Sequence, residues 1–193
     1  MRVVTGLRER PRGRVEVDLD GAPWRLVPAD AVVRSGLAVG RALDRETARA
    51  LGRELRRSEA LDIALRALRY RDQSRQRLEE RLERRGTPAE AREDAIEALE
   101  RAGLVDDARV AAVRAQALAE RGYGDAAIRF ALEAEGLPER AVVVALSSLE
   151  LEVERARGLL AARGKTLKTV RWLAGKGFDP TTLEDVAGFA DGA

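Results

Sequence analysis

Three kinds of side chain in this sequence could carry chemistry, and two of them lack the partners they would need. Acids sit side by side at Glu79-Glu80, Glu93-Asp94 and Asp106-Asp107. Such pairs could share a proton or hold a divalent ion, but on arginine-rich helices they read as solvated faces or caps. Asp106-Asp107 follows Gly103-Leu104-Val105 and precedes a helical pattern, so helix capping accounts for it without a metal. Ser74, Ser147 and Ser148 have no imidazole to activate them, because the chain contains no His and no Cys. That composition removes disulfides, thiol nucleophiles, imidazole bases and the usual zinc ligand sets, and argues against a serine hydrolase arrangement. A lysine-activated serine stays formally open, with nothing pointing to it. There is no Gly-x-x-x-x-Gly-Lys-Ser/Thr loop for phosphate; Gly122-Tyr123-Gly124 reads as a helix break. The expectation is a protein with no catalytic residue, no metal and no cofactor.

The third kind is basic. Arg69-Tyr70-Arg71 with Arg75 and Arg77, and Lys165, Lys168 and Arg171 with Trp172, mix cations with aromatics. Surfaces that grip phosphates and stack on bases are built this way. Aromatics make up only 4% of the chain, so Tyr70 and Trp172 read as half-buried packing residues whose arginines pair with nearby Glu. Plain electrostatic contact with a polyanion stays open. Net charge is only +2, but its distribution is uneven. Residues 1–58 carry thirteen Arg against eight acids, whereas residues 59–107 carry ten Arg against thirteen acids. The front of the chain is therefore the expected place to meet a polyanion or an acidic partner.

The elements that must position these residues are mostly helical. Ala, Leu, Arg and Glu dominate, which is the composition of helices. The first 35 residues differ. Arg14-Val15-Glu16-Val17-Asp18-Leu19 alternates like a half-buried strand, Asp20-Gly21 is a turn signal, and Trp24-Arg25-Leu26-Val27 returns. Val3-Val4-Thr5 can add a third strand, and a short segment over 29–34 ends at Ser35-Gly36. Beyond Asp44, helices are expected over 45–57 and 60–69, then after Ser74 as far as Gly86. Thr87 is read as the next cap with Pro88 at the first helical position, and that helix ends at Gly103. The grammar recurs: a helix from Asp106 or Asp107 to Arg121, one ending at Gly136, and one after Leu137-Pro138. A last round covers 150–163, 168–176 and 181–189. The final residues, Ala190 to Ala193, read as disordered.

Three marks align between the rounds. Leu82/Gly86, Leu132/Gly136 and Leu173/Gly177 share one spacing, and each Gly is followed within three residues by Pro. Arg71, Arg121 and Arg163 stand fifteen, fifteen and fourteen residues before those glycines. Such alignment indicates tandem three-helix repeats, hence a mainly α chain stacking into an elongated, curved solenoid behind a small N-terminal β-hairpin. The expected parts are 1–58 (hairpin and basic helix), 59–107 (first repeat), 108–148 (second) and 149–193 (third). No apolar run approaches the roughly 20 residues that span a bilayer, and the amino terminus lacks the apolar stretch of a signal peptide. A cytoplasmic monomer is expected.

Several stretches resemble the RecX regulators of bacterial homologous recombination. Gly103-Leu104-Val105-Asp106-Asp107-Ala108-Arg109-Val110-Ala111 looks like that family's glycine, apolar pair, acidic pair and helix start. Arg121-Gly122-Tyr123-Gly124 with Ile128, Leu132 and Gly136-Leu137 resembles its second-repeat motif, and Leu173-Ala174-Gly175-Lys176-Gly177-Phe178 the closing one. Ala64-Leu65 through Tyr70-Arg71, Ser74 and Leu78 is similar to the opening of the first repeat. The chain departs from the pattern at Gln73 and Arg77, and at Ala127 and Ala131, where the family favours Arg and Glu.

The resemblance implies a regulator that docks in the groove of the RecA recombinase filament and mainly inhibits its recombination, ATPase and co-protease activities. Contact with single-stranded or double-stranded DNA is also open, and the competing expectation is a helical-repeat protein that binds DNA directly through residues 1–58, without RecA. For partner or DNA binding the positions singled out are Arg71, Arg75, Arg121, Arg163, Lys165 and Lys168. Each lies at or near a helix end that recurs between units, so a stack would place them along one side.

Overall fold

Strand alternation near the amino terminus builds more than a hairpin. The computed structural model describes residues 2–188, so the readings that fall on Phe189 and on Ala190 to Ala193 lie outside the described residues. Strands β1 (Arg2–Arg10), β2 (Arg14–Leu19), β3 (Ala22–Pro28) and β4 (Ala42–Leu43) form an antiparallel sheet in the order β3-β2-β1-β4. Asp20 and Gly21 both have positive φ, 50° and 84°, as the two central residues of a tight hairpin turn require. Arg12 and Gly13 make the same left-handed pair at 64° and 65°, closing a second hairpin through Pro11-Arg12-Gly13. Val15, Val17 and Leu19 point inward, and together with Val4, Val27, Val32 and Leu37 they form one apolar core.

Helix α1 (Ala29–Arg34) and the long α2 (Arg45–Leu68) follow. The segments read as two helices, 45–57 and 60–69, are one helix of 24 residues. Nothing in Arg57-Ser58-Glu59-Ala60 breaks the backbone, and Leu51, Ala60, Ala64 and Ala67 keep one buried stripe running through it. Asp44 caps α2 by accepting from the Thr47 N–H at 2.7 Å. Helix α3 (Arg75–Arg84) and α4 (Ala89–Arg101) complete the first repeat, with Ala60, Leu82, Ala95 and Ile96 at its centre. Helix α4 starts one residue later than expected, with Pro88 itself in the cap position at ψ 148°. The Thr87 side chain makes no cap bond.

The second and third rounds are α5 (Asp107–Glu120), α6 (Asp125–Ala134) and α7 (Glu139–Ser147), then α8 (Glu152–Arg163), α9 (Leu167–Ala174) and α10 (Pro180–Ala187). Each triplet has its own core. Ile128, Leu132 and Val142 anchor the former, and Leu160, Leu173 and Phe178 the latter. The aligned sequence marks have one structural cause. Thr87, Leu137 and Phe178 donate their N–H to the carbonyls of Leu82, Leu132 and Leu173 at 3.1, 3.2 and 3.3 Å. That bond closes a helix end only if the intervening residue is left-handed, and Gly86, Gly136 and Gly177 have φ of 74°, 73° and 80°.

The chain divides into two compact units. One holds the residues up to Arg71 with Leu78–Leu104; the other holds Asp72–Arg77 with the residues from Val105 on. No helix among the described residues is long and apolar enough to cross a membrane.

Candidate functional site

Helix α6 has a glycine, Gly124, in its cap position, so it has no side chain with which to cap itself. Its first three N–H groups are taken up by the third repeat. Gly124 donates to the Lys176 carbonyl at 2.9 Å, Asp125 to Glu152 Oε1 at 2.6 Å, and Ala126 to the Gly177 carbonyl at 3.2 Å. Glu152 Oε2 also accepts from the Asp179 N–H at 3.1 Å, so one carboxylate holds the starts of α6 and α10. Arg155, its side chain only 8% exposed, donates to the Tyr123 carbonyl at 2.8 Å and pairs with the Asp125 carboxylate. Burial raises the Asp125 pKa above its ordinary value and the Glu152 charge adds to this, while Arg155 opposes it.

An equivalent joint exists fifty residues earlier. Ser74 Oγ donates to the Glu135 carbonyl at 2.6 Å and accepts from the Arg77 N–H, while Arg75 N–H donates to Asp107 Oδ1 at 2.8 Å. Ser74 and Gly124 thus dock on matching helix ends, just before Gly136 and Gly177. A Cβ on Gly136 would lie 2.6 Å from the Gln76 side chain, and one on Gly177 2.7 Å from the Ala127 backbone nitrogen. Ala127, where the family pattern favours Arg, is the floor on which that turn rests.

This joint brings three cations and two aromatic rings together. Lys176 Nζ lies 3.9 Å from the Tyr123 ring centre and 5.7 Å from that of Trp172. Arg121 Cζ approaches Tyr123 at 5.7 Å, and Arg163 Cζ covers Trp172 at 4.0 Å. The order is Arg121, Tyr123, Lys176, Trp172, Arg163: cations and rings alternate. Tyr123, Lys176 and Trp172 are half-buried, whereas the two terminal arginines are exposed. Each ring attracts its cation through its electron-rich face, by about 0.5 to 2 kcal/mol. Trp172 packs against the core of the third repeat, as expected, whereas Tyr70, read from sequence in the same way, is 90% exposed.

Of the six positions singled out from sequence, Arg121 and Arg163 are joined by this ladder. Lys165 and Lys168 are exposed around Thr166, which caps α9. Arg75 is half-buried and its backbone belongs to the joint with Asp107. Arg71 is exposed and lies in the other compact unit. Sequence reasoning missed Tyr123 and Lys176. The signal was present, because Lys176 directly precedes the repeated Gly177, as Glu135 precedes Gly136.

The remaining chemical candidates are structural. Ser147 and Ser148 donate to carbonyls of their own helix, Asp106 caps α5 through the Arg109 N–H at 3.0 Å, and Asp107 serves α3. Among the described residues no cluster of acids is placed to hold a metal ion.

No family model matches the chain. It is 31% identical over 156 residues to a regulatory protein RecX of Xanthomonas oryzae pv. oryzae, covering 76% of this chain and 98% of that relative. The chain belongs to the RecX family of regulatory proteins. A RecX of Stenotrophomonas maltophilia is 36% identical over 144 residues, covering 68% of this chain and 88% of its own length. In fold, a crystal structure of a regulatory protein RecX superposes with a TM-score of 0.82 at 22% identity, over 96% of this chain and 98% of that one. The RecX crystal structure from Lactobacillus salivarius gives 0.62 at 19% identity, over 70% and 97%. RecX proteins are regulators rather than enzymes.

Proposed function

We propose that this RecX protein binds the RecA recombinase filament in its groove and inhibits strand exchange, ATP hydrolysis and co-protease activity, acting as a cytoplasmic monomer. The observation that carries this reading is the ladder at the joint between the second and third repeats. It fixes Arg121, Lys176 and Arg163 on one edge, with Lys165 and Lys168 following Arg163 in the chain. A row of cations held by packed rings loses little side-chain freedom on docking, and suits an acidic protein surface repeated along a polymer.

The test is RecA-driven ATP hydrolysis and strand exchange on single-stranded DNA, titrated with the wild-type chain and with Arg121→Glu/Arg163→Glu. The wild type should inhibit at equimolar RecA or below. Reversing two exposed charges should weaken binding at least about tenfold, roughly 1.4 kcal/mol, with helicity unchanged. No inhibition by the wild type at any ratio rejects the function. Inhibition unaltered in the variant rejects this edge as the contact.

A further inference from the structure

The first compact unit carries a second basic surface that the ladder does not include. On α2, Arg45, Arg49, Arg53 and Arg56 are all exposed. At 100° per residue they fall within one arc of roughly 80°, opposite the buried Thr47 and Leu51. The helix rises about 1.5 Å per residue, so the four guanidinium groups are strung over about 16 Å. Among the described residues none of the four has an ion pair or a side-chain hydrogen bond. Their neighbours differ: Arg34 and Arg57 both pair with Glu54. Ala48 and Gly52 lie between the arginines, and together they line an open trough of about 710 Å³ whose one acidic wall residue is Glu90. Arg56 also borders a neighbouring groove of about 400 Å³, where Arg14 and Arg25 of the sheet stand opposite Glu59 and Asp62. Arg14 and Arg25 are likewise exposed and unpaired.

We infer that this arginine stripe on α2 is a binding surface for the phosphate backbone of a nucleic acid, used without RecA. Four unpaired guanidinium groups on one helix face would repel one another, and a polyanion relieves that repulsion. Each presents a planar fork that fits phosphate oxygens in pairs. The floor between them is made of small residues, so a backbone can come close. It offers no large apolar side chain to anchor a protein, whose interface cores are depleted in charge and built on buried anchors. The four guanidinium groups are spread over about 16 Å on long side chains, so up to four phosphate contacts can form together along a strand. Backbone contact of this kind is independent of base sequence.

The experiment is fluorescence anisotropy of a labelled single-stranded oligothymidine and of a labelled duplex, titrated with the full chain and no RecA, at several salt concentrations. With four phosphates neutralised, single-strand affinity should fall roughly 50-fold between 50 and 200 mM salt, a log–log slope near about −2.8. Arg49→Ala/Arg53→Ala should reduce the size of that slope by about 1.4, and the variant with all four arginines replaced by alanine should lose binding. All four side chains are exposed, so far-UV circular dichroism should be unchanged; if the fourfold variant does not fold, the double variant decides. Arg121→Glu/Arg163→Glu should keep its oligonucleotide affinity, which separates this surface from the filament contact proposed above. Absence of binding at 50 mM salt, or binding unaltered by the alanine variants, overturns the inference. So does a fourfold variant that binds oligonucleotide normally but no longer inhibits RecA, which would assign the stripe to an acidic protein.

Discussion

The three glycines that close equivalent helix ends give a graded test of how the repeats dock. Gly86, Gly136 and Gly177 share a left-handed backbone, with φ between 73° and 80°, so alanine at any of them carries the same conformational strain of about 1 kcal/mol. Their surroundings differ. A methyl group on Gly86 meets nothing within 4 Å. On Gly136 it would meet Gln76 Cδ and Oε1 at 2.6 Å, which can swing aside, and Gln76 Cβ at 2.9 Å, which needs a small shift of α3, together about 0.5 to 1 kcal/mol more. On Gly177 it would meet Ala127 Cβ at 2.6 Å and the Ala127 nitrogen at 2.7 Å, which are rigid parts of α6. Relieving that overlap means parting the third repeat from the second, for about 2 kcal/mol further. The expected losses are therefore about 1 kcal/mol for Gly86→Ala, 1.5 to 2 for Gly136→Ala and 3 for Gly177→Ala. Urea denaturation followed by circular dichroism measures them, with Gly136 and Gly177 compared inside the same compact unit. Equal losses at all three positions would refute the idea that these turns are docking points as well as helix stops.

Further outcomes follow from the same joint. Arg155→Met removes hydrogen bonds to the Tyr123 and Glu150 carbonyls and strands the Asp125 carboxylate, and should cost about 3 kcal/mol in urea denaturation. Burial raises the Asp125 pKa, so the native state takes up a proton before the unfolded chain does. Wild-type stability relative to Asp125→Asn should accordingly rise as pH falls from 7 through the folded Asp125 pKa towards the ordinary value of 3.8; a gap that shrinks on acidification rejects this. Asp44, whose pKa is lowered mainly by the hydrogen bond from the Thr47 N–H, behaves oppositely. Its capping of α2 is present above pH 3.8 and is lost as pH falls through its folded pKa, so Asp44→Ala should destabilise at pH 7 and progressively less in acid. A double-mutant cycle between Lys176→Met and Tyr123→Leu should return a coupling of about 1 kcal/mol, whereas no coupling would mean that the 3.9 Å approach contributes nothing.

Helix ends were legible because their causes are local. Gly86, Gly136 and Gly177 mark left-handed stops, and Asp44 and Asp106 mark starts, each set by a few neighbouring residues. The division of 45–69 into two helices failed for the opposite reason: continuity across Ser58 depends on the stripe buried through Leu51, Ala60 and Ala64, a tertiary fact. The Pro11-Arg12-Gly13 turn carried a signal in its Pro and Gly, but Arg12 does not favour positive φ, and pairing of β1 with β2 holds it there. Site positions were read on the same terms. Arg121 and Arg163 carried a periodic signal, whereas Lys176 and Tyr123 meet only when two repeats dock, across some fifty residues of chain. Freedom from ion pairing, the property that distinguishes Arg45, Arg49, Arg53 and Arg56 from Arg57, needs coordinates to see.

The glycine start of α6 bears on how the polypeptide matures during translation. Synthesis runs from the amino end, so a ribosome that has released residues only as far as Leu151 presents an α6 whose opening amides have water alone to bond with. Glu152, Lys176 and Gly177 have still to emerge. Completion of that helix is thereby timed by residues made after it, and a transcript cut short at Leu151 yields a protein with a frayed α6 as well as a missing third repeat.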